Sequence, residues 1–181
     1  MKVHFKNPFI RFVATASLLY ALWEALYELW LHPQRSLELL VVDNLVLLCS
    51  GILKLLGYQL ITAPVLNENI RTIGIDGTYG LFIADSCAGI TLFALFAGFI
   101  IAYPGPIIKK LIFIPLGLIT IHLINVLRIA GLCIITFHAP EYLDFNHHYT
   151  FTIIVYTYVF LLWVLWVNIV KNSKSQVQNP K

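Results

Sequence analysis

Residues Leu111 to Arg128 read LIFIPLGLITIHLINVLR, and Lys109 and Lys110 stand immediately before them. No Asp, Glu, Lys or Arg interrupts the run until Arg128 closes it. At about 1.5 Å of rise per residue the run is roughly 27 Å long, close to the ~30 Å thickness of a bilayer's hydrocarbon core. The rest of the chain has the same character. Of its 181 residues 59% are hydrophobic and only 12% are charged, with mean hydropathy +0.81, against about 25% charged in ordinary soluble domains. A polar surface cannot be made to cover a core with so few charges. This excludes a soluble enzyme and predicts an all-α, polytopic integral membrane bundle of about five to six spans.

Reading outward from the opening stretch, Ile129 to Phe137 is a short apolar piece. A polar cluster follows, made of His138, Glu141, Asp144, Asn146, His147 and His148. A further span is expected over Tyr149 to Val170, ended by Lys171, Asn172, Ser173 and Lys174. Toward the N-terminus, Pro104-Gly105-Pro106 turns the chain after a span from about Asp85 to Tyr103. Before that, Thr62 to Gly80 is polar and rich in turn residues. Its piece Arg71 to Thr78 alternates in a way that suits a short extracytoplasmic hairpin. Two earlier apolar segments, Phe9 to Leu31 and Leu37 to Ile61, are separated by His32-Pro33-Gln34-Arg35. Glu24 and Glu28 share a helical face in the first and should meet protein or an interface, not lipid. Lys54 should snorkel. Residues 1–75 thus form N-terminal membrane segments and a polar loop, 76–170 a membrane core and 171–181 a polar cytosolic tail. There are no internal repeats.

The net charge of +3 is spread in small groups between apolar runs, a pattern of membrane topology and not of a nucleic-acid footprint. Lysines 109, 110 and 171 mark the cytosolic side. The basic N-terminus, with Lys2, Lys6 and Arg11, resembles a signal peptide. However, Glu24 and Glu28 fall inside its apolar run and no small-residue cleavage site ends it, so it is expected to be retained. Strict alternation of spans then creates a conflict: an inward third span needs an outward second and an inward first, which puts these basic residues outside.

Counting helical rise from the cytosolic anchors brings three polar elements to one depth. Tyr103 back to Cys87 is roughly 24 Å, Lys110 to Arg128 roughly 27 Å, and Lys171 back to His147 or His148 about 35 Å. All three end near the extracytoplasmic boundary. Cys87, amid Asp85, Ser86, Ala88 and Gly89, stands at an expected helix start, where a helix N-terminus and a nearby cation would favour the thiolate. Cys49 and Cys133 need no more than the role of small apolar packing residues. Three cysteines without metal-type spacing indicate neither a disulfide framework nor a structural metal. Arg128 is the sole charged residue between Lys110 and Glu141, and Asn125 shares its helical face. Read alone, it either snorkels to headgroups or stabilises an oxyanion or thiolate. His147 and His148, with Asp144 and Asn146 as candidate caps, supply either a proton shuttle or an interfacial headgroup contact. His122 reads as a satisfied buried histidine, and His4 and His32 lack context. Metal chemistry at His138, Glu141, Asp144, His147 and His148 has only irregular spacing behind it, and no G-x-S-x-G elbow supports a serine mechanism.

Cys87-Ala88-Gly89 resembles the Cys-(Ser or Ala)-Gly nucleophile motif of the exosortase and archaeosortase family. Asn125-Val126-Leu127-Arg128 resembles its Asn-x-x-Arg motif, and Asn146-His147-His148 stands where its histidine comes. The resemblance covers about Asp76 to Val170, and the compact length with the Asp144 to Tyr149 run is most similar to the exosortase F type. Many members have a glycine four residues after the histidine. Here Phe151 follows His147 at that distance and Thr152 follows His148, so both stay candidates, with His147 preferred for its place directly after Asn146. The resemblance implies a cysteine transpeptidase or protease in the bacterial cytoplasmic membrane that needs no cofactor. It would act at the outer face on exported proteins whose C-terminal signal has a short motif, a transmembrane helix and a basic end. It implies Cys87 as nucleophile, Arg128 as thiolate or oxyanion stabiliser, His147 (or His148) as general acid/base, and Asn125 and Gly89 in support. Two other readings stay open: a non-enzymatic membrane subunit binding lipid or a partner helix, and a metal-dependent intramembrane hydrolase.

Overall fold

The computed structural model describes residues 7–61 and 71–178. Lys2, Lys6 and the first part of the expected polar loop lie outside them. Helix α1 (Pro8–Leu26) starts as its sequence asks: the Asn7 side chain accepts from the Phe9 N–H at 3.0 Å and Pro8 takes the first position, where a missing N–H costs nothing. It runs into a π-helical turn (Tyr27–Leu31) and the short α2 (His32–Gln34). Arg35, with φ +53°, breaks the helix before α3 (Ser36–Leu55). Strands β1 (Arg71–Ile73) and β2 (Leu81–Ile83) form an antiparallel hairpin. A 3-10 turn (Asp85–Ala88) leads to α4 (Ile90–Ala102), then α5 (Ile107–His138). A broken segment with α6 (Leu143–Phe145) and a second π-helical turn (Asn146–Thr150) precede α7 (Phe151–Gln178). Four stretches, 8–34, 36–55, 107–138 and 140–172, are long and apolar enough to cross a membrane, and α4 is a shorter apolar helix.

Packing fixes the sense of each helix. Helices α4 and α5 are antiparallel, with Phe96 over Phe113 and Phe93 near His122. The Lys110 ammonium reaches back to the Ile101 carbonyl at 2.8 Å, satisfying one of the acceptors that a helix C-terminus leaves open. Gly117 permits the close crossing, because a methyl group there would overlap the buried ring of Phe96. Helix α7 returns antiparallel to α5, with Trp166 against Phe113 and Phe151 beside Gly131. Phe96, Ile100, Ile121, Val159, Trp166 and Val170 are the centre of this three-helix core. A second core joins α3, the hairpin, the 3-10 turn and the far half of α5. Into it α3 turns the stripe Glu38, Val42, Leu45, Cys49 and Leu53, the three- and four-residue spacing of one helical face. Leu111, Leu116, Ile119, Leu123, Ile153, Phe160 and Leu161 stay exposed, an apolar belt that belongs in lipid.

Four details depart from expectation. The fourth span and the apolar piece after it are one 32-residue helix, α5. At roughly 48 Å it outruns the hydrocarbon core, since no proline follows Arg128 to stop the helix before Pro140. The hairpin extends to residue 83, because the partner of Arg71–Ile73 is Leu81–Ile83. The α-helix begins after Cys87, at Ile90, since Gly89 with φ +77° separates it from the 3-10 turn. Finally, α1 does not run against the charge rule. Phe12 packs edge-on against Phe99 and Tyr103, and Pro8 and Arg11 share a cavity wall with Ala102 and Pro104. Arg11 therefore lies at the end where Lys109 and Lys110 lie. Helix α3 advances along α5 in the same sense, as Asn44, Cys49 and Tyr58 meet His122, Cys133 and His138 in turn. It is not the returning span that alternation requires, so the conflict does not arise.

Candidate active site

β2 ends at Ile83, Ala84 stays extended, and the chain then tightens so that the Cys87 N–H donates to the Ala84 carbonyl at 2.8 Å. From α5, the Asn125 side-chain amide donates to the Cys87 carbonyl at 2.6 Å, and Asn125 is only 1% exposed. Gly89 takes a left-handed conformation that costs other L-residues about 1–2 kcal/mol, and its Cα faces the same amide. One asparagine thus holds the turn from its buried side. Cys87 is 7% exposed and opens onto a cavity of about 330 Å³ at the hairpin end of the molecule. His147 lines the same cavity, as do Glu141 and Asp144.

A second cavity, of about 470 Å³, flanks the turn and is lined by Gly89, Arg128, Tyr27, His32, Thr152 and Tyr156 among others. Arg128, one helical turn beyond Asn125, has a buried Nε without a hydrogen-bond partner among the described residues. It lies within electrostatic reach of His147. The four side chains, on the 3-10 turn, α5 and the π-helical turn before α7, therefore gather about one short segment, as the depth count anticipates.

The two histidines divide because of the π-helical turn. His148 Nδ1 donates to the Asp144 carbonyl and carboxylate, both at 3.0 Å, and its side chain is 61% exposed. His147 is left facing the cavity. Neither expected cap forms: Asn146 donates to the Tyr142 carbonyl instead, and Asp144 is taken by His148. Such turns, with one extra residue per hydrogen-bonded ring, recur at functional sites. Among the described residues no three His, Cys, Asp or Glu side chains gather as a metal site, and His138 is hydrogen-bonded to the Tyr58 hydroxyl at 3.0 Å. Cys49 and Cys133 are buried free thiols that face each other across α3 and α5. His122 donates to Asn44 at 2.9 Å. Lys54 is exposed, and Glu28 is exposed beside His32.

Three features escape the sequence reading. Glu38 on α3 is fully buried, and among the described residues neither carboxyl oxygen has a hydrogen-bond partner; an acid inside an apolar helix is the signal that could have flagged it. His32 lines the second cavity, and β2 lines the first.

These features define a class: a polytopic helical membrane protein with a cysteine and a histidine lining one cavity and an arginine lining the next. The family model for the transmembrane exosortase (Exosortase_EpsH) matches residues 9–167, and the chain belongs to that family. Neither the curated proteins nor the solved structures include a match.

Proposed function

We propose that the chain is a membrane-embedded cysteine transpeptidase that cleaves C-terminal sorting signals of exported proteins at the outer face of the bacterial cytoplasmic membrane. The observation that carries the reading is that Cys87 and His147 line one cavity. The substrate signal has a short motif, an apolar helix and a basic cytosolic end, so that its scissile bond stops at the outer boundary beside Cys87. The Cys87 thiolate attacks the scissile carbonyl carbon, and the carbonyl electron pair moves to oxygen. Arg128 stabilises the negative charge that the thiolate brings and the oxyanion takes up. Collapse of the intermediate breaks the C–N bond, and His147 gives its proton to the departing amine. An acceptor amine or water then attacks the thioester, His147 takes its proton, and the thiolate is restored. Asn125 and Gly89 hold the turn that presents the sulfur.

The test is processing of a co-expressed protein that ends in a short motif, an apolar helix and a basic cluster. Cys87→Ala and His147→Ala should abolish cleavage, while His148→Ala and Cys49→Ala should retain it. Normal processing by Cys87→Ala would overturn the proposal.

A further inference from the structure

The first cavity is touched by Leu81, Phe82 and Ile83, three successive residues of β2. Neighbouring residues of a strand send their side chains to opposite faces of the sheet. A space that meets all three therefore runs along the strand's edge and not over one face. Among the described residues β2 pairs on one side alone, with β1, and no β1 residue lines the cavity. The cavity thus lies on the unpaired edge, where backbone N–H and C=O groups point outward without a strand to receive them. The same strand leads, through Ala84, into the turn that carries Cys87.

From this edge we infer that the substrate's cleavage segment docks as a third strand of the sheet, pairing its backbone with β2 so that its scissile carbonyl is delivered to Cys87. The inference rests on the cysteine reading above and adds how the substrate is held. Strand addition takes its affinity from main-chain hydrogen bonds, which suits an enzyme whose proposed substrates offer only a short motif outside the membrane helix. Three paired residues span about 10 Å at ~3.3 Å each, and the 3-10 turn bends the enzyme's own chain away where β2 ends. An extended segment points alternate N–H groups to opposite sides. Only the groups turned toward β2 pair with it, so loss of a group turned away should leave the docking unchanged.

The probes are three acetyl-trialanine vinyl sulfones: the all-amide peptide and two analogues in which one or the other of the two amide N–H groups nearest the warhead is replaced by an ester oxygen. Each is added to membranes containing the full chain, beside iodoacetamide as a probe too small to pair. The rate of Cys87 alkylation is read by mass spectrometry, with Cys87→Ala as control. Strand pairing predicts that one ester slows alkylation about fivefold, as loss of one hydrogen bond should. The other ester stays within twofold of the parent, and the iodoacetamide rate is the same throughout. If Cys87 takes iodoacetamide but both esters match the parent, or both slow it equally, strand pairing is wrong and the cysteine reading stands. If neither reagent type modifies Cys87, the cysteine reading falls and this inference falls with it.

Discussion

Asn125 is the most sharply testable residue of the site, because a single hydrogen bond of 2.6 Å ties α5 to the carbonyl of Cys87. Asn125→Leu keeps approximately the side-chain volume and removes the donor, leaving that carbonyl buried and unpaired. An unsatisfied buried polar group costs about 1–3 kcal/mol. With Asn125 1% exposed, no bulk water is at hand to replace the bond. The turn can escape the penalty only by moving, which takes the Cys87 sulfur off its line to the substrate carbonyl. If about 2 kcal/mol is lost in the reactive arrangement, cleavage slows about thirtyfold at 1.36 kcal/mol per factor of ten. Asn125→Asp should be worse, since it sets carboxylate lone pairs against the carbonyl oxygen, whereas Asn125→Gln should recover part of the rate. Pulse-chase processing of the co-expressed substrate measures the rate, and thermal unfolding in detergent measures whether the bundle suffers as well. A merely structural asparagine would lower the midpoint and leave the rate of the surviving folded protein unchanged. Asn125→Leu processing within twofold of the parent chain would refute the claim that this bond positions the nucleophile.

Two further outcomes follow from packing and exposure. Gly117→Ala forces a methyl group into the Phe96 ring, an overpacking penalty of about 1–3 kcal/mol that should lower the unfolding midpoint; Phe96→Leu in the same chain should recover much of the loss. A membrane-impermeant thiol reagent added from outside should modify Cys87, which lines a cavity, and spare Cys49 and Cys133, which are 0% and 1% exposed. Modification of the latter two with Cys87 untouched would contradict the proposed orientation of the site.

Much of the bundle could be read from local sequence because lipid imposes a local rule: a helix must satisfy its own backbone, so an apolar run between basic residues reports a span. Helices α5 and α7 follow that rule, and the depth count along them brings Arg128 and His147 to the level of Cys87. What the sequence did not disclose are relations between segments. Asp43 and Asn44 sit side by side in an apolar run, and nothing nearby says what satisfies them. Their partners are Arg71, at 2.5 Å, and His122, at 2.9 Å, 28 and 78 residues along the chain. Those contacts, with that of Tyr58 to His138, set the sense of α3. The choice between His147 and His148 has the same root. Regular helical periodicity separates adjacent residues by about 100° without saying which faces inward, and here a π-helical turn decides.

Arg128 and His147 line different cavities, yet the arginine lies within electrostatic reach of the histidine. In the proposed reaction one cation then acts on both partners. Its field favours negative charge on the sulfur and the developing oxyanion, and it opposes a charged imidazolium, because like charges nearby disfavour the charged form. The same repulsion helps to drive the histidine's proton onto the departing amine, so that the stabiliser of the nucleophile also assists the acid step.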